Sequence, residues 1–154
     1  MALLNGFYEG ALVFNEKKLA KRSALSSVVD THTLFLLLVI FQVKHFIADY
    51  PLQFPYMLKK FSAGWDFLLP LSLHCLVHSL MTLGICWYFA PQLWWLSILD
   101  FVVHFIMDRI KSGPRYLGRY SDHTKSGFWI TFGFDQMVHH LTHIYIIWCI
   151  VMPA

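Results

Sequence analysis

The stretch FLLPLSLHCLVHSLMTLGICWYF, residues 67–89, decides the fold. It is longer than the about 20 residues a helix needs to cross a hydrocarbon core, and it contains no Asp, Glu, Lys or Arg. His74 and His78 stand in its interior four residues apart, which places them on one helix face about one turn from each other. A membrane-spanning helix that turns a pair of imidazoles inward accommodates both features.

Working outward, three more stretches have the length and apolarity of spans, at 31–50, 92–111 and 127–152. The spans at 67–89 and 127–152 are the most continuous. The other two are interrupted by Lys44, His45 and Asp49 and by Asp100, His104, Asp108 and Arg109, and such interruptions inside a span are costly enough to be functional by default. Pro51, Pro91 and the pair Gly113-Pro114 mark helix ends. The expected fold is therefore an all-α integral membrane bundle of four transmembrane helices over residues 31–154. An N-terminal amphipathic segment, residues 1–30, precedes it, with an interfacial helix over 2–22 that turns Leu3, Leu4, Phe7, Leu12 and Phe14 toward lipid.

Composition points the same way. The chain has 154 residues, of which 57% are hydrophobic and 14% charged, with a mean hydropathy of +0.53. That leaves too little polar surface to cover a water-soluble core. Cys75, Cys86 and Cys149 lie singly in apolar runs without CxxC spacing, which suggests neither a disulfide framework nor a thiolate zinc site. The N-terminal basic cluster Lys17, Lys18, Lys21 and Arg22 follows the first apolar stretch instead of preceding it, so no cleaved signal is expected. The net charge of +3 is modest; its placement matters more. Lys59, Lys60, Arg109, Lys111, Arg115, Arg119 and Lys125 concentrate at the ends of the first and third spans, which sets that side as cytoplasmic, against the opposing N-terminal cluster.

The nine histidines are the anomaly. The polar residues inside the spans repeat a spacing of four: His45 and Asp49 with Gln53 one turn further, His74 and His78, His104 and Asp108, His139 and His143. HxxxD followed by HxxxH thus occurs twice, as a duplicated two-helix unit whose pairs sit at matching depths. Imidazole and carboxylate suit zinc, iron, manganese or nickel, and eight donors exceed what one tetrahedral ion takes. Two metal ions, zinc foremost, would use His45, Asp49, His74, His78, His104, Asp108, His139 and His143 and activate a water between them. Asp100 and Asp135 continue the same faces and are the candidates for proton transfer, for orienting imidazoles, or for ligation in their own right.

Gln53, Lys111, Arg115 and Arg119, with Lys59 and Lys60 across from them, are the candidates for attracting an anionic headgroup. A single intramembrane histidine is ordinarily a packing residue, but eight donors at matched spacing are not explained that way. The competing readings are a proton or ion pathway, haem held by paired histidines, which would leave the aspartates without a role, and a structural metal. His32 and His123 read as interfacial, His140 points off the ligand face, and Trp94, Trp95, Trp129 and Trp148 form an interface belt. Nucleic-acid binding is not expected, because the basic residues flank spans without an aromatic platform.

The motifs HFIADYPLQ (45–53), HCLVH (74–78), HFIMDRIK (104–111) and DQMVHHLTH (135–143) together resemble a family of small bacterial and phage-encoded polytopic membrane proteins of unknown function, over about residues 35 to 150. A weaker likeness, resting on intramembrane His and Asp, is to predicted membrane-bound metal-dependent hydrolases. The resemblance implies a bacterial inner membrane, and the basic loops that adjoin the ligand pairs set the metal site toward the cytoplasmic leaflet. The function expected from the residues is metal-dependent hydrolysis of an amphiphilic or phosphate-bearing small molecule through a metal-activated water; the alternative is a non-catalytic metal or proton conduit. The partners expected are the lipid bilayer and an amphiphilic or anionic substrate, with oligomerisation left open.

Overall fold

The computed structural model describes residues 31–152, and those residues are helical, without strands. The N-terminal segment 1–30, with its expected interfacial helix, lies outside the described residues. Two units make up the chain, Met1–Leu37 and Leu38–Ala154, and the candidate site lies wholly in the second.

Helix α1 covers Thr31–Asp49, α2 Leu68–Phe89, α3 Leu96–Ser112 and α4 Ser126–Val151. Each boundary has a local cause. Pro51 lacks the N–H that would continue α1. Pro70 sits in the first turn of α2, where an N–H has no intrahelical partner anyway. Pro91 opens a 3₁₀ turn, Pro91–Leu93, between α2 and α3. Gly113 ends α3 by donating its N–H to Arg109 O at 2.8 Å, and Pro114 follows. In the turn before α4, hydrogen bonds from the Thr124 hydroxyl and N–H hold the Asp122 carboxyl below its usual range. A second 3₁₀ segment, Pro55–Phe61, crosses between α1 and α2 and packs on α2.

Helix α3 packs on α2 and on α4, with Phe67, Leu71 and Cys75 buried against Phe101 and Phe105. The ends of α1 and α3 meet the beginning of α4 around one cleft, so the polar pairs of the four helices converge at one end of the bundle. The polarity is inverted relative to a bundle in water. Lys44, His74, His78, Asp100, His104, Asp108, Asp135, His139 and His143 are buried, while Leu76, Leu80, Val102, Ile106, Ile130, Leu141 and Ile144 are exposed.

Among the described residues, two helices are long and apolar enough to cross a membrane, Thr31–Asp49 and the helical stretch Trp65–Phe89. Helix α3 has only 17 residues and carries Asp100, Asp108, Arg109 and Lys111. Helix α4 has 26 residues, but Asp135, Gln136, His139, His140 and His143 lower its hydropathy.

Candidate metal centre

The i, i+4 spacing puts the polar side chains of each helix on its inner face, and helix packing brings those faces into contact. Asp49, at the end of α1, holds three imidazoles: His78 Nε2 lies 3.0 Å and His74 Nε2 3.5 Å from its Oδ1, and His45 Nε2 lies 3.2 Å from its Oδ2. Asp108, near the end of α3, mirrors it, with His74 Nε2 3.3 Å from Oδ2 and His139 Nε2 3.2 Å from Oδ1. His104 is the centre. Its ring stacks at 3.8 Å on His139 and lies 3.9 Å from His78, it is 1% exposed, and neither of its nitrogens makes a hydrogen bond.

Three lysines neutralise three of the four aspartates. Lys44 donates to Asp100 Oδ2 at 2.7 Å, Lys60 to Asp108 Oδ2 at 2.8 Å and Lys111 to Asp135 Oδ2 at 2.6 Å. In each case the other oxygen faces the histidines. Asp100 Oδ1 lies 3.4 Å from His104 Nδ1 and 3.7 Å from His143 Nε2, and Asp135 Oδ1 lies 3.3 Å from His139 Nε2, yet both oxygens are buried without a hydrogen bond. Lys44 Nζ also reaches His143 Nε2 at 3.3 Å, and Thr82 donates to Asp100 Oδ2 at 2.6 Å. Gln136 offers its Oε1 to His45 Nε2 at 3.2 Å and donates to Asp135 Oδ2 at 3.1 Å.

This donor set fits metal ions. Two donors about 2.1 Å from one tetrahedral ion stand roughly 3.4 Å apart, which is the separation of the His–Asp pairs above. Three groups bring their ligand atoms within 4.8 Å of one another: Asp49, His74, His78 and His104; Asp100, His104 and His143; Asp108, Asp135 and His139. Buried carboxylate and imidazole atoms with no hydrogen bond are costly unless something else satisfies them. Buried His and Asp clusters here could therefore hold a metal ion. With the imidazoles counted as neutral, four carboxylates against three ammonium groups leave one net negative charge, which a bound cation or one protonated imidazole offsets.

Seven of the eight residues expected as ligands fall in these groups, as do Asp100 and Asp135; His45 is in none of them and lies beside the first, its Nε2 3.2 Å from Asp49 Oδ2. Asp100 is at the closed end, beside Thr82 and Lys44. Asp135 borders an open cleft of about 170 Å³ that Asp49, Asp108 and His139 also line, together with Gln53, Lys60, Lys111 and Gln136. Arg115 lies elsewhere, in a separate cleft with Trp65 and Arg109. Arg119 stacks over the Tyr120 ring at 4.8 Å. His140 is outside the cluster, 3.2 Å from Gln42.

Lys44, Lys60, Thr82 and Gln136 join the site although the i, i+4 pattern does not single them out as its members. Thr82 was within reach of that pattern, since it extends the face of His74 and His78 by one turn.

No curated protein and no solved structure matches the chain. A family profile described as a protein of unknown function matches residues 34–154, the stretch that holds all four helices of the cluster except the first residues of α1. The chain therefore belongs to the DUF3307 family.

Proposed function

We propose that the chain crosses a bacterial inner membrane with all four helices and hydrolyses a phosphate-bearing amphiphile at a two-metal, zinc-type centre open to the cytoplasmic leaflet. The observation that carries this reading is the open cleft. A structural metal site is closed by its ligands, whereas a catalytic one leaves a position for water and substrate. Here Asp49, Asp108, Asp135 and His139 belong both to the donor cluster and to the cleft wall.

The four-span reading rests on the inverted polarity of the bundle: Asp100, Asp108 and Asp135 are buried, Arg109 and Lys111 are half-buried at one helix end, and the outer faces of α3 and α4 are largely apolar. The weaker likeness to membrane-bound metal-dependent hydrolases belongs to the same proposal. Bound divalent ions would supply Lewis-acid activation of water and offset charge on phosphoryl oxygens.

The chain's own residues do the rest. Two divalent ions would turn the cluster's single net negative charge into three positive ones, which favours an anion in the cleft. Lys60 and Lys111 line that cleft through ammonium groups already fixed by Asp108 and Asp135. Gln53 offers an amide at the same wall. Asp135 faces both the cleft and His139, so it is placed to take up a proton, with Lys111 and Gln136 fixing its second oxygen.

A conduit needs a polar path to both ends. The column of polar side chains runs from Lys60 and Lys111 to Asp100 and Thr82, and past them the buried residues include Phe41, Cys86, Leu96, Ile146 and Ile147, with Ser97, whose hydroxyl is taken up by Trp94 O. That apolar end favours a site over a path. The test is metal content and turnover side by side, for native protein and Asp135→Asn, on a panel of membrane phosphates and carboxylic esters. The reading expects retained metal and turnover lowered by about 100-fold or more. A fully metallated native protein that turns over nothing on the panel refutes it.

A further inference from the structure

The open cleft has an apolar neighbour. Phe61, Lys111 and Phe132 line both the polar cleft and a second chamber of about 270 Å³, whose remaining wall includes Leu117, Tyr120 and Phe128. Lys111 stands at the junction: its ammonium reaches Asp135 at 2.6 Å and lies 4.8 Å from the centre of the Phe132 ring. Phe128 and Phe132 are one turn apart on α4 with rings stacked at 6.0 Å and 12°.

The chamber wall is built closely. The 3₁₀ turn Leu117–Tyr120 lies against the end of α3, where Gly118 donates its N–H to Gly113 O at 3.1 Å. A Cβ on Gly118 would stand 2.7 Å from the backbone oxygens of Ser112 and Gly113, so only glycine permits that approach. Gly127 plays a similar part opposite the Tyr120 ring, which a Cβ there would meet at 3.1 Å.

Resting on the hydrolase reading above, we infer that these two chambers form one bipartite site. The polar cleft takes a phosphate-type headgroup and the chamber behind Lys111 takes the apolar chain attached to it, with Phe132, Leu117 and Tyr120 setting the chain length accepted. The three residues common to both walls, Phe61, Lys111 and Phe132, carry this inference. A cation held by a carboxylate of the polar cleft and lying over an aromatic ring that both chambers share is what an anion bonded to hydrocarbon requires. At about 30 Å³ per water-sized group, the chamber holds a chain of about eight or nine carbons; a longer chain would continue past the exposed Tyr120 and Ser121.

The test uses the zinc-loaded full chain in lipid nanodiscs and a series of n-alkylphosphonates, methyl to dodecyl, which bind without being cleaved. Protein-free nanodiscs supply the correction for partition. Affinity should rise by about fourfold per methylene and level off near octyl. In Leu117→Trp, which fills the chamber, and in Ser121→Trp, which narrows its exposed rim, the ratio of octyl to methyl affinity should collapse toward one. If methylphosphonate binds but chain length makes no difference, or if the gain continues without a plateau and neither variant changes it, the bipartite site is refuted and the hydrolase reading stands. If no phosphonate of any length binds, the phosphate-hydrolase reading itself fails.

Discussion

Replacing Lys44 with Met tests the cluster at its closed end. Lys44 is 2% exposed and Asp100 fully buried, and the ammonium is the only cation within bonding distance of that carboxylate among the described residues. Methionine keeps much of the stem volume but removes the charge, leaving Asp100 Oδ2 with the Thr82 hydroxyl alone. Breaking one partner of a buried pair costs about 3–5 kcal/mol. At roughly 2–4 °C per kcal/mol for a chain of this size, the metal-stripped protein should melt roughly 6–20 °C lower.

The metal-loaded protein should behave differently. An ion held by Asp100 Oδ1, His104 and His143 would leave the carboxylate with a positive neighbour even without Lys44. The loaded form should then lose less than half as much stability, and the difference, about 2–3 kcal/mol, must reappear as a zinc affinity tightened by roughly 30- to 150-fold. The assay is unfolding in mild detergent with chelator and with saturating zinc, paired with zinc competition against a chelating dye. Equal losses in both forms and an unmoved affinity would make the Lys44–Asp100 contact a plain structural ion pair and exclude Asp100 as a ligand.

Two further outcomes follow from the geometry. Purified protein should carry about two equivalents of a first-row transition metal, and His74→Ala and His139→Ala should each lower that content, because each removes an arm shared by Asp108 and a neighbouring carboxylate; folded, metal-free protein indifferent to both changes would remove the metal centre. A reporter inserted near residue 118 should be cytoplasmic, since Lys59, Lys60, Arg109, Lys111, Arg115, Arg119 and Lys125 gather at that end, and a reporter found outside would move the open cleft to the other leaflet.

The helices were legible in the sequence to within a few residues, because proline and glycine punctuate them. The main difference is the start of α3, at Leu96 where a span from 92 is expected; Pro91–Leu93 winds as a 3₁₀ turn first. The eight His and Asp positions of the cluster were legible because spacing of four is a property of one helix and needs no knowledge of its neighbours. The lysine partners were not. Lys44 stands one residue before His45, and its partner Asp100 lies 56 positions away on another helix. Lys60 belongs to a non-periodic 3₁₀ segment that folds back over the cluster. Arg115 and Arg119 were expected to rim the cleft with Lys111; neither lines it, Arg115 bordering a separate cleft with Trp65 and Arg109 and Arg119 stacking over Tyr120.

If all four helices cross the membrane as proposed, the pairing of charges across them has a consequence for biogenesis. In hydrocarbon, each Asp, Lys or Arg at mid-span opposes insertion by about 2.5–3.5 kcal/mol, and α3 carries Asp100, Asp108, Arg109 and Lys111 within 17 residues. On its own this segment would not leave the translocation channel for lipid. Its counter-charges are distributed along the chain: Lys44 and Lys60 are synthesised before it, Asp135 after it. On that reading the third helix takes its place beside helices already inserted, and its last ion pair, Lys111 with Asp135, forms only once the fourth has emerged. A ribosome stalled before residue 135 would leave Lys111 without its acid, and the nascent bundle would stay open at the side where the cleft later forms.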